Sequence, residues 1–145
     1  MPARSATGLR PISIARRPLY ALLLPVPIVC FIGNLLTDIS YLGSAGNLVW
    51  LDFSTWLNAA GLLFGAIAAV VLFIDTIRSS IGWGTFLFLA AAWIVEFINA
   101  LVHARDGWTA VAGAGLILSI IGVLLVLISG WLWQSIRYRD AEVRP

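Results

Sequence analysis

The chain has 145 residues, of which 61% are hydrophobic and 11% charged, with a mean hydropathy of +0.97. A soluble domain holds about 45–50% apolar and about 25% charged residues, so this balance excludes a water-soluble enzyme and points to a membrane protein. The net charge of +2 does not indicate nucleic acid, because all nine basic residues are arginines, set mainly at the two ends, where they orient a membrane chain.

Residues 1–17 are polar, rich in Arg, Ser and Pro, and read as a flexible cytoplasmic tail. Next comes an uncharged run over 18–37, 20 residues long, predicting a first transmembrane helix over about 18–42. The run is too long for the apolar region of a signal peptide and contains Pro25, Pro27 and Asn34, so it is read as a retained span. The lone Cys30 lies within it and is expected as a small apolar filler, without a disulfide or metal. Residues 42–54 read as a loop carrying Asp52 and no basic residue. The uncharged run 53–74 predicts a second helix over about 55–77, with Asp75 and Arg78 as an i,i+3 pair at its end. A third helix is expected over about 82–104, interrupted in character only by Glu96. The uncharged run 107–136 predicts a fourth over about 108–136, followed by a cytoplasmic tail over 137–145.

The expected fold is therefore all-α: four transmembrane helices in an up-down bundle, joined by short loops. Eight of the nine arginines fall on one side of that arrangement, which places both termini in the cytoplasm. Trp and Tyr agree, since nine of the ten would sit in interfacial belts and only Trp93 at mid-depth.

Helices in lipid associate through small residues. Gly61 and Gly65, continued by Ala69, form such a face on the second helix. Gly115, Ser119, Gly122 and Ser129 form one on the fourth. Packing within the chain is the expected use of these faces, with dimerisation as the alternative.

Ionisable groups inside a span are costly and mark candidate sites. Glu96 lies near mid-depth with no Lys or Arg in any span to neutralise it, so it should face the bundle, neutral or hydrogen-bonded. At 100° per residue, Trp93, Glu96, Asn99 and His103 share one face of the third helix, and Pro27, Asn34, Asp38 and Tyr41 share one face of the first. The candidate cluster is thus Asn34, Asp38, Trp93, Glu96, Asn99 and His103. It serves either as a polar network that fixes helix register or as a pocket or proton path opening outward between the first and third helices. No nucleotide-binding glycine loop, HExxH or GxSxG is present, and a single histidine cannot supply two haem ligands. No catalytic residue, metal or cofactor is expected.

Pro27-Ile28 and Asp38 within LPVPIVCFIGNLLTDI, a glycine-rich second helix ending at Asp75, and the closing SGWLWQSIRYRDAEV resemble the bacterial membrane family called domain of unknown function 2231. The resemblance covers residue 24 to the C-terminus and implies the four-helix fold, with no activity attached. Members of that family often carry histidines before the first helix and near the third. Here Arg16-Arg17-Pro18 and Trp83 stand at those places. The resemblance then implies that any metal or haem bound by those histidines elsewhere is lost in this chain.

The expected function is a non-enzymatic protein of the bacterial inner membrane, a structural or accessory subunit whose partners are the bilayer and other membrane subunits or a second copy. The alternatives are a small transporter or proton-coupled carrier using Asp38 and Glu96, and a quinone- or haem-associated redox accessory with Trp93 and His103 at its site.

Overall fold

The computed structural model describes residues 20–79, 82–105 and 111–142, and among these there are helices and turns with no strand. The expected tail over 1–17, Trp108 and residues 143–145 lie outside the described residues. A one-turn helix, α1 (Tyr20–Leu23), leads into α2 (Pro25–Gly43), and these are followed by α3 (Leu48–Ser79), α4 (Trp83–Arg105) and α5 (Leu116–Glu142). The segments Pro25–Gly43, Leu48–Arg78, Trp83–Arg105 and Val111–Ile136 are each long and apolar enough to cross a bilayer.

Three boundaries depart from the sequence-based expectation. The first span is broken at Leu24, because Pro25 and Pro27 have no N–H to donate back into the preceding turn. The second helix starts at Leu48 and not near residue 55, so Trp50 and Asp52 are helical. Its early start is set by Asn47, whose Oδ1 accepts the Val49 N–H at 3.1 Å, a side-chain cap for an otherwise unpaired donor. The fourth span opens with a π-helical turn (Val111–Gly115), and α5 runs through to Glu142, past the expected tail boundary at 137. Residues 134–142 hold good helix formers and neither Gly nor Pro, so nothing there ends the helix.

The connection from α2 to α3 is tight. The Gly46 N–H reaches back to the Tyr41 carbonyl at 3.1 Å, and Ala45 takes a left-handed conformation (φ 55°) to allow it. Consecutive helices are antiparallel: Gly33 meets Leu57 while Gly65 meets Pro27, and Gly122 meets Glu96 while Gly84 meets Leu132. Each helix packs on two neighbours in the cyclic order α2, α3, α4, α5, which leaves α2 and α4 facing each other across the centre.

Buried positions recur at alternating steps of four and three. They are Pro27, Phe31, Asn34, Asp38 and Tyr41 on α2, and Thr85, Leu89, Ala92, Glu96, Asn99 and His103 on α4. This is the seam spacing of helices packed at a shallow angle. Glycine lets the backbones close. A Cβ at Gly61 would lie 2.5 Å from the Phe31 ring, and one at Gly65 would lie 3.3 Å from Trp93 and 3.5 Å from Pro27. The glycine face of α3 is therefore turned onto α2 and α4 of its own chain. One half of the bundle core is apolar, with Leu24, Phe31, Ala68, Leu72, Leu89 and Val126 packed together. The half next to the α2–α3 turn is polar.

Candidate functional site

Five of the six candidate residues meet in that polar half. Asn34 and Asp38, one turn apart on α2, face Glu96, Asn99 and His103, which rise in successive turns on the inner side of α4. All but His103 are fully buried, and His103 is 8% exposed. Side chains from the other two helices join them across the bundle diagonal. Ser119 of α5 accepts the Asn34 and Asn99 amides at 3.2 and 2.8 Å and donates to Asp38 Oδ2 at 2.6 Å. From α3, Ser54 Oγ lies 2.6 Å from Asn34 Oδ1 and 2.5 Å from Asp38 Oδ1.

Each ionisable group is held by several partners. Glu96 Oε2 accepts the Asn99 amide at 3.0 Å and the Asn34 amide at 3.4 Å. His103 Nε2 lies 3.2 Å from Asp38 Oδ1, and its Nδ1 lies 2.9 Å from the Asn99 carbonyl oxygen. That carbonyl can only accept, so Nδ1 carries the hydrogen. Asn58 of α3 closes one side by donating to the Glu96 backbone carbonyl at 3.4 Å. Among the described residues, Glu96 Oε1, Asn99 Oδ1 and Asn58 Oδ1 are buried without a hydrogen-bond partner. Glu96 Oε1 rests against Gly122, in space that a side chain on α5 would otherwise fill.

Trp93 is the candidate that stays out. Its indole N–H donates to the Leu62 carbonyl of α3 at 2.8 Å and its ring stacks on Phe97, with centroids 5.3 Å apart. The shared helical face extends over about a third of the α4 circumference, and Trp93 lies on the edge toward α3, where it braces two helices. The cluster lies between the first and third spans, and side chains from the second and fourth complete it.

Ser54 and Asn58 lie outside the sequence-derived cluster because residues 42–54 read as a loop. The signal that finds them is the four-and-three spacing of Ser54, Asn58, Gly61, Gly65 and Ala68, all buried, which runs without a break into the glycine face. Ser119 belongs to two sets at once, as a small packing residue and as the hub of the network. Gly115 and Gly122 are buried with it on the inner side of the fourth span.

This cluster can hold and exchange protons, and it can lock four helices into one register. Among the described residues no group of three or more His, Cys, Asp or Glu could hold a metal ion.

A family model described as "Predicted membrane protein (DUF2231)" matches residues 16–142. No curated protein and no solved structure matches the chain.

Proposed function

The chain belongs to the DUF2231 family of predicted membrane proteins, and from that premise we propose that it is a non-enzymatic scaffold, an accessory subunit of a larger assembly in a bacterial inner membrane. The observation that carries this reading is where the polar chemistry lies. The carboxylates, amides and imidazole of the cluster are turned inward and bonded to one another, with Asn34, Asp38, Glu96 and Asn99 at 0% exposure. The outer faces carry apolar side chains such as Val29, Leu63, Leu87, Ile117 and Leu124. A connection of only four residues, 44–47, separates α2 from α3 and offers no room to hold a soluble substrate. The inner network then serves as interhelical glue, and the outer faces meet lipid and partner helices.

Purification from the native membrane in mild detergent tests the proposal. A stoichiometric membrane partner is the expected result. A coloured preparation would instead favour a redox accessory, and a lone colourless protein would count against the scaffold.

A proton-coupled carrier is the second reading, favoured by the gathering of Asp38, Glu96 and His103 in one half of the bundle. Reconstituted vesicles separate it from the first. A carrier moves protons and loses that activity in Glu96→Gln, whereas a scaffold moves none.

A further inference from the structure

Two buried amides in the polar half end in oxygens that carry no hydrogen bond. Among the described residues these are Asn58 Oδ1 and Asn99 Oδ1, on side chains of residues 3% and 0% exposed. A buried carbonyl without a donor is costly, and more so in a bilayer, where bulk water cannot reach it.

The orientation of both amides is fixed by what their nitrogens meet. Asn58 Nδ2 lies 3.4 Å from the Glu96 backbone carbonyl, which can only accept, so turning the amide over would set oxygen against oxygen. Asn99 Nδ2 donates to Glu96 Oε2 at 3.0 Å and to Ser119 Oγ at 2.8 Å, and Ser119 gives its one hydrogen to Asp38 Oδ2. A flipped Asn99 would therefore meet Ser119 acceptor to acceptor. Each oxygen is the end of its amide left over once the nitrogen is placed.

The two amides are near neighbours. A helical carbonyl points along the axis toward the residues three and four positions on, so the Glu96 carbonyl lies beside the root of Asn99. The Asn58 nitrogen bonded to it comes from α3, one of the two helices packed on α4. The Asn99 nitrogen is drawn the other way, to α5, which leaves its oxygen on the edge of the amide toward α3. Two acceptors cannot bond each other, and the hydrogens of Asn34 and Ser119 are already given to Glu96, Ser119 and Asp38. A molecule with two hydrogens joins such a pair. Two amide oxygens are too few for a cation, which takes a larger oxygen shell. Glu96 Oε1, also unpartnered, rests against Gly122 on α5 and stands apart from them.

We propose that a single water molecule is bound between α3 and α4, donating one hydrogen to Asn58 Oδ1 and the other to Asn99 Oδ1. Buried waters hold otherwise unpaired polar groups in this way, and a water-mediated bond is nearly as good as a direct one. The two helices are then tied at this depth twice, by Asn58 on the Glu96 carbonyl and by the water beside it. This site goes beyond the scaffold reading and does not depend on the identity of any partner.

The four asparagines, Asn34, Asn47, Asn58 and Asn99, supply the controls. Asn47 is exposed in the α2–α3 connection. Asn34 is fully buried, with its oxygen taken by Ser54 and its nitrogen by Glu96 and Ser119. In protein labelled at asparagine with carbon-13 and nitrogen-15 and embedded in lipid nanodiscs, solid-state NMR transfer from water protons should reach Asn47 first, Asn58 and Asn99 next, and Asn34 last. Asn58 and Asn99 as late as Asn34 would overturn the proposal, because no water then touches them. Four amides equally early would overturn it too, since that pattern describes a flooded cluster. In Asn58→Leu, which keeps the branched shape and removes the oxygen, Asn99 should fall back to the timing of Asn34. An Asn99 still early there would mean that no bridge ties the two. The first measurement uses the unmodified chain, so it stands even if Asn58→Leu does not fold.

Discussion

The missing side chain of Gly122 makes room for the Glu96 carboxylate. A Cβ built at Gly122 would fall onto Glu96 Oε1, with the carboxyl carbon 2.7 Å away. Glu96 itself is tied by Oε2 to amides on two helices, so it has little freedom to move aside. A small residue on α5 and an acid on α4 therefore act as one unit.

Gly122→Ala should accordingly lower the stability of the bundle by about 1–3 kcal/mol, the usual cost of overpacking a filled core. Glu96→Ala in the same chain should recover part of that loss, because it vacates the space the new methyl needs. Unfolding of the single and double variants in detergent measures the coupling, and strictly additive losses would sink the paired account.

Ser119→Ala leaves the Asn34 and Asn99 amides each short of an acceptor and Asp38 Oδ2 short of a donor. The expected loss is about 1–3 kcal/mol, the cost of stranding buried polar groups, and larger than the ~0.6 kcal/mol average for one hydrogen bond between membrane helices. Ser129→Ala is the control. Its hydroxyl donates to the Thr85 backbone carbonyl at 2.9 Å, so removing it loses one hydrogen bond to a carbonyl that the α4 helix already pairs. Equal thermal shifts for the two variants would show that Ser119 is no hub.

Gly61→Leu and Gly65→Leu should each destabilise the bundle, Gly61→Leu more strongly. The nearest obstacle is the Phe31 ring, already 2.5 Å from a bare Cβ at Gly61, whereas Gly65 has 3.3 Å to Trp93. Thermal unfolding in detergent with both variants unshifted would mean that this face meets lipid.

Ala45→Gly should raise stability by about 1 kcal/mol, because the left-handed conformation costs a side-chain-bearing residue about 1–2 kcal/mol and glycine almost nothing. The gain is reduced by the extra freedom glycine has in the unfolded chain. A lowered midpoint in the same unfolding assay would count against the strained turn.

With Cys30 replaced, a cysteine at Ser44 should react with an impermeant label added outside intact cells, and one at Ser5 should not. The expectation follows from eight of nine arginines lying on one side. The reverse pattern would invert the orientation.

The number of spans, the inward glycine faces and most of the polar cluster were legible in residue spacing alone. Asn34 and Asp38, and Glu96, Asn99 and His103, each fall on one helical face, and a buried carboxylate has few places to go but the bundle centre. Which partner each would meet was not legible, because that depends on the rotation of all four helices together. Gly122 reads as a packing residue whether it faces a methyl group or a carboxylate. Ser54 was hidden for another reason: Asp52 and the turn residues before it suggest a loop, while a single capping side chain, Asn47, starts the helix two turns sooner. The break at Leu24 was open to inspection in Pro25 and Pro27, yet a proline near the start of a helix is as often tolerated as disruptive.

The length of α3 has a consequence for the membrane itself. Its 32 residues make a rod of about 48 Å, well beyond a hydrocarbon layer of about 30 Å. Asp52 and Arg78 stand 26 residues apart, or about 39 Å, close to the headgroup-to-headgroup thickness of about 40–45 Å. The helix is thus a ruler with a charged mark at each end. In a thinner bilayer the excess length is taken up by tilt or by local thickening of the lipid. In a bilayer of matching thickness both marks reach the headgroups. Lipid chain length therefore sets how far this helix leans from the bilayer normal.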